Sequence, residues 1–477
     1  MELITQQCVL KTDVKFQPHM MRVINYLVDH RGIIVVHGTG SGKTLTSIGA
    51  SQCLLSKFPD KQVLVVTPTS LVQNYKKEME KYGITPPDAE RYHFRTYGQM
   101  VNEYRDDENI TTIRSPEVLC KDKILICDEA HNLKTQLVQS KEGLKGKLAA
   151  VMIKCAKYAF RVILLTATPV VNSKMDIVNL VAMVDGTDPM KKTEFERMLL
   201  NGIKLRQYLN NKVSFFSRIS DDPNYPRIHE KDVFLMMDDD FYNAYHKIEM
   251  GEFKDMAASD LIKTKDVFAF LSGVRRAMNV ADMEDSPKVN WVIDVVKSGY
   301  EHHQPGKTLV YSTWKKAGKD LIIRKLKTAG VKFTEVHGAM SKKNRNAAVN
   351  MFNNDKDTQV LLITKAGGEG LDLKNTKFVI VLDPMWNDAN LQQVMGRAAR
   401  YKSHSSLPEA QRDVYVYKLY LKKPPINWIF GVRKWNDKIA SADILMCNFV
   451  KTKTAELKQF LTTIQACSIE ANAQYEH

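Results

Sequence analysis

GIIVVHGTGSGKT, residues 32–44, is the stretch whose reading decides the fold. An apolar, β-branched run ends at His37, three glycines follow at every second position, and the glycine loop closes on Lys43 and Thr44. The spacing predicts a buried strand, a loop and the start of a helix. In that order glycines let backbone amides turn inward on phosphate oxygens, and the helix N-terminus adds a favourable dipole. Gly38, Thr39, Gly40, Ser41 and Gly42 would form the cradle. Lys43 would reach the β- and γ-phosphates of ATP or another nucleoside triphosphate, and the Thr44 hydroxyl would ligate Mg²⁺. The strict form of the pattern asks for Gly where this chain has His37. That position only closes the loop, so His37 need not cost the grip.

Outward from this loop, further apolar runs rich in Val, Ile and Leu occupy residues 62–67, 123–129 and 161–168. They lack polar alternation, as strands buried on both faces do. Helical patterns lie between them, for example residues 44–55 and 71–82. A second block repeats the arrangement, with runs at 307–313, 331–338, 358–364, 377–383 and 413–420. Strand and helix in alternation predict an α/β fold of two tandem doubly wound parallel-sheet lobes. Between the blocks the strand pattern thins and FYNAYHKIEM (241–250) looks helical; after Lys422 the chain is largely helical to about residue 469. The expected division is an N-terminal nucleotide-binding lobe (1–218), an acidic, mainly helical connecting module (219–286), a C-terminal lobe (287–430) and a helical C-terminal brace (431–477).

The chain has 477 residues, 44% hydrophobic and 26% charged, an ordinary globular composition. No apolar run approaches the ~20 residues that span a bilayer, so no membrane segment is expected. MELITQQCVLKTDVKF lacks a basic region followed by an apolar core, so no secretory signal is expected. The seven cysteines are odd in number and scattered, with no Cys-x-x-Cys pair, so neither a disulfide framework nor a zinc site is expected and the cytosol is the simple reading. Formal charge is +15, unevenly spread. Residues 221–285 hold 8 basic and 15 acidic side chains, seven negative net, which leaves the remainder at +22. A surplus of that size suits a polyanionic partner such as nucleic acid. The acidic stretch would be a solvated face or a protein-docking module.

Chemistry-bearing residues cluster at the ends of the expected strands. ILICDEAH (124–131) closes an apolar run in an acidic pair. Asp128 can hold Mg²⁺, directly or through water, and Glu129 can orient the attacking water as general base.

A phosphate loop followed by DEAH at a strand end resembles the superfamily 2 nucleic-acid-dependent ATPases, in which two RecA-like lobes clamp ATP between them. Thr166-Ala167-Thr168 matches that family's coupling motif, which links the nucleotide site to the bound strand. Thr67-Pro68 and Thr96-Tyr97 match motifs that contact the nucleic-acid backbone, although each alone reads equally as a turn. QQVMGRAAR (392–400) carries the spacing Q-x-x-G-R-x-x-R: Gln393, Arg397 and Arg400 match the motif that supplies arginine fingers to the γ-phosphate, with the two arginines expected on one face of a helix. TKAGGEGLDL (364–373) resembles the fifth motif, in which Thr364 and Lys365 touch phosphates of the tracked strand and Gly368 and Asp372 serve the nucleotide side. FQPHMM (16–21) lies where the adenine-reading motif begins. Alignment to it places Met20 where a Gln normally reads the base, with Gln17 as a substitute, which implies relaxed base selectivity.

TATPVVNSKMDIVNL (166–180), VRRAMN (274–279) and Trp386-Asn387 resemble the Swi/Snf-type branch, whose members translocate on double-stranded DNA. The segments 396–420 and 441–470 resemble the helicase-like transcription ATPases of poxviruses and other large DNA viruses, the type of nucleoside triphosphate phosphohydrolase I. The resemblance implies a DNA-dependent NTPase serving viral transcription, with viral RNA polymerase or transcription factors as protein partners and a viral factory or virion core as its place. A strand-separating DNA or RNA helicase is the alternative within enzymes, and a catalytically inactive docking subunit is the alternative outside them.

Overall fold

The computed structural model describes residues 8, 10–103, 116–133, 144–170, 173–217, 222–258, 272–281, 285–364, 371–385, 388–425, 428–429, 432–433 and 440–472. The chain divides into two compact units, one of residues 1–219 with 455–477 and one of residues 220–454.

The first unit is built on six strands: β1 (Gly32–His37), β2 (Gln62–Thr67), β3 (Tyr92–Thr96), β4 (Lys123–Asp128), β5 (Arg161–Thr166) and β6 (Val213–Phe216). Their order across the sheet is β3-β2-β4-β5-β1-β6, and every neighbouring pair is parallel. Alternate residues of one strand serve opposite faces. Ile34, Val36, Leu125, Cys127 and Leu164 pack in one core, while Ile33, Val35, Ile124, Ile126, Ile163 and Leu165 pack in the other. Helices cover both faces, which is why the strands read as unbroken apolar runs. The end of the C-terminal helix Ala442–Ala466 belongs to this unit: Phe460 and Ile464 join the first core.

The second unit has β7 (Arg227–Met236), β8 (Thr308–Tyr311), β9 (Phe333–Val336), β10 (Val360–Ile363), β11 (Phe378–Val381) and β12 (Asp413–Lys422), in the order β7-β12-β11-β8-β10-β9 and again all parallel. The two lobes expected from sequence are therefore present as two all-parallel α/β sheets. β7 comes from the acidic stretch. It pairs with β12 over ten residues, and much of its charge is matched within the unit. Asp232 meets Lys418 and Lys451, and Glu230 meets Lys418. That pairing removes part of the negative surface expected of residues 219–286.

The expectation of no disulfides is overturned. Cys8 is bonded to Cys53 and Cys120 to Cys155, with Cα separations of 5.9 and 5.3 Å. The partners are 45 and 35 residues apart. No spacing motif marks them, because packing brings them together: Cys120 ends the short helix Pro116–Cys120 and Cys155 lies in the helix Leu144–Tyr158. Cys127, Cys447 and Cys467 are free and buried. Among the described residues no helix is long and apolar enough to cross a membrane.

One ion pair in the second unit is fully buried. Lys288 Nζ lies 2.6 Å from Asp443, with both side chains at 3% exposure or less. Lys288 also donates to Leu382 O at 2.9 Å, and Asp443 accepts from Leu421 N at 2.8 Å. The pair joins the helix Pro287–Ser298 to the first turn of Ala442–Ala466. Removing one partner strands a charge in an apolar interior, which costs about 3–5 kcal/mol. Asp443→Ala should lower the stability of this unit by that amount in urea denaturation, and the paired Lys288→Met/Asp443→Leu variant should recover most of the loss.

Candidate active site

In a parallel sheet all strand C-termini meet one edge. Neighbouring strands lie about 4.8 Å apart, so the order β4-β5-β1 puts the ends of these three strands side by side. The phosphate loop follows β1, the acidic pair ends β4, and Thr166 ends β5.

The loop itself is shaped by backbone rather than side chains. Gly38 N donates to Phe216 O at 3.0 Å, which continues the β1–β6 ladder into the loop. Gly40 and Gly42 have φ of 80° and 83°, a region that costs an L side chain energy. At Gly42 a Cβ would also collide with the Met20 methyl. Gly42 precedes the helix Lys43–Lys57, which has no side-chain cap. An uncapped N-terminus with its partial positive charge is a ready anion site. Lys43 Nζ donates to the carbonyls of His37 (2.9 Å) and Gly38 (3.1 Å), holding its ammonium over the loop. Thr39 and Thr44 are half-buried; Ser41 is buried and its hydroxyl donates to Gly38 O at 2.7 Å.

Asp128 is 7% exposed. Its carboxylate accepts from Glu129 N (3.0 Å) and the Thr67 hydroxyl (3.3 Å). Burial, then the neighbouring Glu129 charge, pushes its carboxyl up to about 6, against the pull of Lys43. A buried carboxylate whose charge is disfavoured by a second carboxylate is a place that a divalent cation would relieve. Among the described residues no group of three His, Cys, Asp or Glu is placed to hold a metal. The donor set thus fits an ion such as Mg²⁺, which takes one or two protein groups and completes its shell with phosphate and water. Asp128 and the Thr44 hydroxyl are the groups that could hold such an ion.

Glu129 has φ of 54°, unusual for a residue with a side chain. Its Oε2 lies 3.3 Å from His131 Nδ1. That nitrogen is 3.5 Å from the Thr166 hydroxyl oxygen, which in turn accepts from Thr168 N at 3.0 Å. A chain of polar contacts therefore runs from the acidic pair to the Thr166-Ala167-Thr168 segment. His131 stands in the DEAH string and was the link that the strand-end reading left without a role.

Several expected nucleic-acid contacts are placed differently. Thr67 is fully buried with its hydroxyl on Asp128, so it has no free donor for a phosphate; Pro68 follows it, half-buried. Thr96 and Gln99 cap the helix Tyr97–Glu103 reciprocally: Thr96 Oγ1 accepts from Gln99 N (3.2 Å) and Gln99 Oε1 from Thr96 N (2.8 Å). The Tyr97 hydroxyl donates to Asp128 O at 2.6 Å. Thr67 and Tyr97 are thus tied to Asp128 at the end of β4, and Thr96 to a helix cap. Met20 is buried against Gly42, and Gln17 is exposed, with its carbonyl accepting from Met20 N and Met21 N.

In the second unit Thr364 follows β10 and is buried, its amide on Val336 O at 3.3 Å. Lys365 and Gly368 lie outside the described residues, as does the Gln393 side chain. Asp372 is exposed, and its carbonyl accepts from Asn353 at 2.9 Å. The expectation that Arg397 and Arg400 share a helix face is corrected. The helix Asp388–Ala398 ends before Arg400, whose amide donates to the Ser403 hydroxyl (3.1 Å) and whose Nε donates to Gly396 O (2.8 Å). Ser403 competes for the amide that would have continued the helix.

Residues 16–283 match the SNF2-related domain, and residues 287–402 match the helicase conserved C-terminal domain. The chain belongs to the SNF2-related family. A candidate ATP-dependent RNA helicase of Acanthamoeba polyphaga mimivirus is 31% identical over 422 residues, covering 84% of this chain and 87% of that protein. A candidate ATP-dependent RNA helicase of Heliothis virescens ascovirus 3e is 25% identical, covering 95% of this chain and 56% of that protein. The helicase domain of Pyrococcus furiosus Hef shares the fold, with a TM-score of 0.50 at 16% identity over 85% of this chain and 96% of that one. This SNF2-related protein is thus a helicase-like, nucleic-acid-dependent ATPase with viral relatives.

His37 gives the SNF2-related chain a measurable acid limb. Its ring is buried, and burial, then His19 and Lys43, lower its value from 6.5 to about 3. The folded form therefore holds it neutral while the unfolded chain takes up a proton below about pH 6.5. Its contribution is fully present above that pH and is lost as pH falls toward 3. Urea denaturation should show about 2 kcal/mol less stability at pH 5 than at pH 7.5 from this group, and His37→Asn should lack that part of the loss.

Proposed function

We propose that this ATPase couples nucleoside triphosphate hydrolysis to movement along double-stranded DNA, in the service of viral transcription. The observation that carries the reading is the row of strand ends β4-β5-β1. One edge holds a phosphate loop, a buried carboxylate, a second acid and a polar chain to Thr166. The SNF2-related match and the basic surplus outside residues 221–285 support nucleic acid as the track.

The chemistry follows from the residues. Loop amides and Lys43 bind the β- and γ-phosphates and neutralise their charge. Glu129 orients a water and takes its proton as the water oxygen bonds to the γ-phosphorus; the bond to the bridging oxygen breaks and the diphosphate leaves with its electron pair. Thr44 and Asp128 would hold Mg²⁺, which when bound would neutralise charge on the phosphate oxygens. The resemblance assigns Arg397 and Arg400 to the charge that develops, a role worth ~10³–10⁵ in rate in related transfers. The contacts from Glu129 through His131 to Thr166 give the site a path by which loss of the γ-phosphate reaches the motif assigned to coupling.

The viral relatives carry the name of RNA helicases, which favours strand separation on RNA as the second reading. Phosphate release measured with blunt duplex DNA, single-stranded DNA, single-stranded RNA and duplex RNA separates the two. Duplex DNA should stimulate most, with an affinity that falls steeply with salt because the contacts are to phosphates; stimulation by RNA alone would replace the first reading by the second. A viral polymerase or transcription factor is the proposed protein partner, and a viral factory or virion core the proposed location.

Lys43→Ala should lower hydrolysis by about three orders of magnitude. Glu129→Gln should bind nucleotide within about threefold of the native protein while kcat falls ~10²–10⁴-fold; full turnover in that variant would remove Glu129 as the base. Met20 offers a base edge no directional hydrogen bond, so GTP, CTP and UTP should be hydrolysed at rates within about tenfold of ATP.

A further inference from the structure

The ring of His37, last residue of β1, is held from the far end of the chain. Its Nε2 lies 2.8 Å from the Ser214 hydroxyl on β6. Ser214 Oγ donates at 2.6 Å to Glu470 Oε1, and the other carboxylate oxygen accepts from Phe215 N at 2.7 Å. Glu470 lies in a short turn of helix, Ile469–Asn472, docked beside β6. Asn211 N donates to Cys467 O at 3.2 Å, and Asn472 Nδ2 donates to the side chains of Asn210 and Asn211 at 2.8 and 2.6 Å. All of these residues belong to the first unit.

The proton order in this chain is determined. An ionised carboxylate only accepts, so the single hydroxyl proton of Ser214 goes to Glu470. Toward His37 the hydroxyl oxygen must then accept, which requires the Nε2–H tautomer and leaves Nδ1 as a lone-pair acceptor. Nδ1 is buried with no hydrogen-bond partner among the described residues. The carbonyl of the same residue receives the Lys43 ammonium at 2.9 Å. The ring also meets His19 edge-on at 5.0 Å; His19 stacks on Phe216 at 3.7 Å and contacts Ser41 O at 3.1 Å. The start of the phosphate loop is therefore clamped by a ring whose orientation depends on a carboxylate 433 positions away in sequence.

We propose that Glu470 is a positioning residue for nucleotide hydrolysis: through Ser214 it holds His37 in one tautomer and one orientation, and so fixes the carbonyls on which Lys43 rests. The C-terminal segment is thereby part of the nucleotide site rather than only a packing brace. This rests on the assignment of residues 38–44 as the phosphate site, and Lys43→Ala tests that assignment by itself.

Glu470→Gln is the informative variant. Phe215 N–H needs an acceptor, so the new amide oxygen stays there and the NH₂ group faces Ser214. The hydroxyl must then reverse and donate to His37, which moves to the Nδ1–H tautomer. Histidine labelled with ¹⁵N, with the His37 signal identified by its loss in His37→Asn, should show Nε2–H in the native chain and Nδ1–H in Glu470→Gln. Phosphate release with magnesium, ATP and duplex DNA should show kcat/KM about tenfold lower for Glu470→Gln and for Ser214→Ala, carried mainly by KM, with Ser214→Thr restoring it. Glu470→Ala should add no further loss in a His37→Asn background. A Glu470 that merely ties down the chain end would lower the unfolding midpoint, leave the tautomer and KM as in the native protein, and lose activity additively with His37→Asn; that result overturns the proposal. An inactive Lys43→Ala beside native-like Glu470 variants sinks this inference alone, whereas an active Lys43→Ala sinks the site assignment.

Discussion

The parallel adjacency of β4, β5 and β1 is the constraint on which the rest depends. Strands covered on both faces cannot carry polar side chains along their length, so polar residues are confined to where the strands stop. Parallel pairing then delivers every stop to the same edge. Ile124 to Cys127, Val162 to Leu165 and Ile33 to Val36 are all buried, while Asp128, Thr166 and the phosphate loop follow directly at their ends. The chemistry is concentrated because the sheet leaves it nowhere else to go.

Burial sets the charges at that edge as well. The same desolvation that raises Asp128 lowers His37, since it disfavours a charged group of either sign. The consequences differ. Burial and the neighbouring Glu129 make a charge on Asp128 costly, which suits a residue that gains from a cation. His37 stays neutral throughout, so it brings no second positive charge beside Lys43 and acts through hydrogen bonds alone. Glu129 adds a conformational term: its left-handed backbone turns the chain sharply after β4 and swings the side chain toward His131.

Most of the architecture was legible because it follows from periodicity. Unbroken Val/Ile/Leu runs mark most strands of both sheets, and the glycine loop lies between a strand and a helix as its spacing predicts. What was missed depends on distance in space. β6 is four residues, VSFF, too short and too mixed for a pattern to register, yet it carries Ser214. The Cys120–Cys155 pair and the link from Glu470 to His37 join segments far apart in sequence, with no local signature. Thr67, Thr96 and Tyr97 match backbone-contact motifs by sequence, and local spacing does not show that their hydroxyls are engaged by Asp128 and a helix cap. Spacing alone puts Arg400 on a helix, and a serine three residues later takes the amide that would continue it.

The first unit is discontinuous: residues 455–472 complete it after the whole of the second unit has intervened. On a ribosome the six strands of its sheet emerge early, but Phe460, Ile464 and Glu470 arrive only after some 235 further residues, the span of 220–454. Until then the lobe has a phosphate loop without its tether and a core face without its last covering helix. A chain cut short before Glu470 would carry the motif set of an ATPase while lacking that residue's contacts to Ser214 and Phe215, so under the positioning role proposed for Glu470 the last turns of helix tune nucleotide affinity as well as stability.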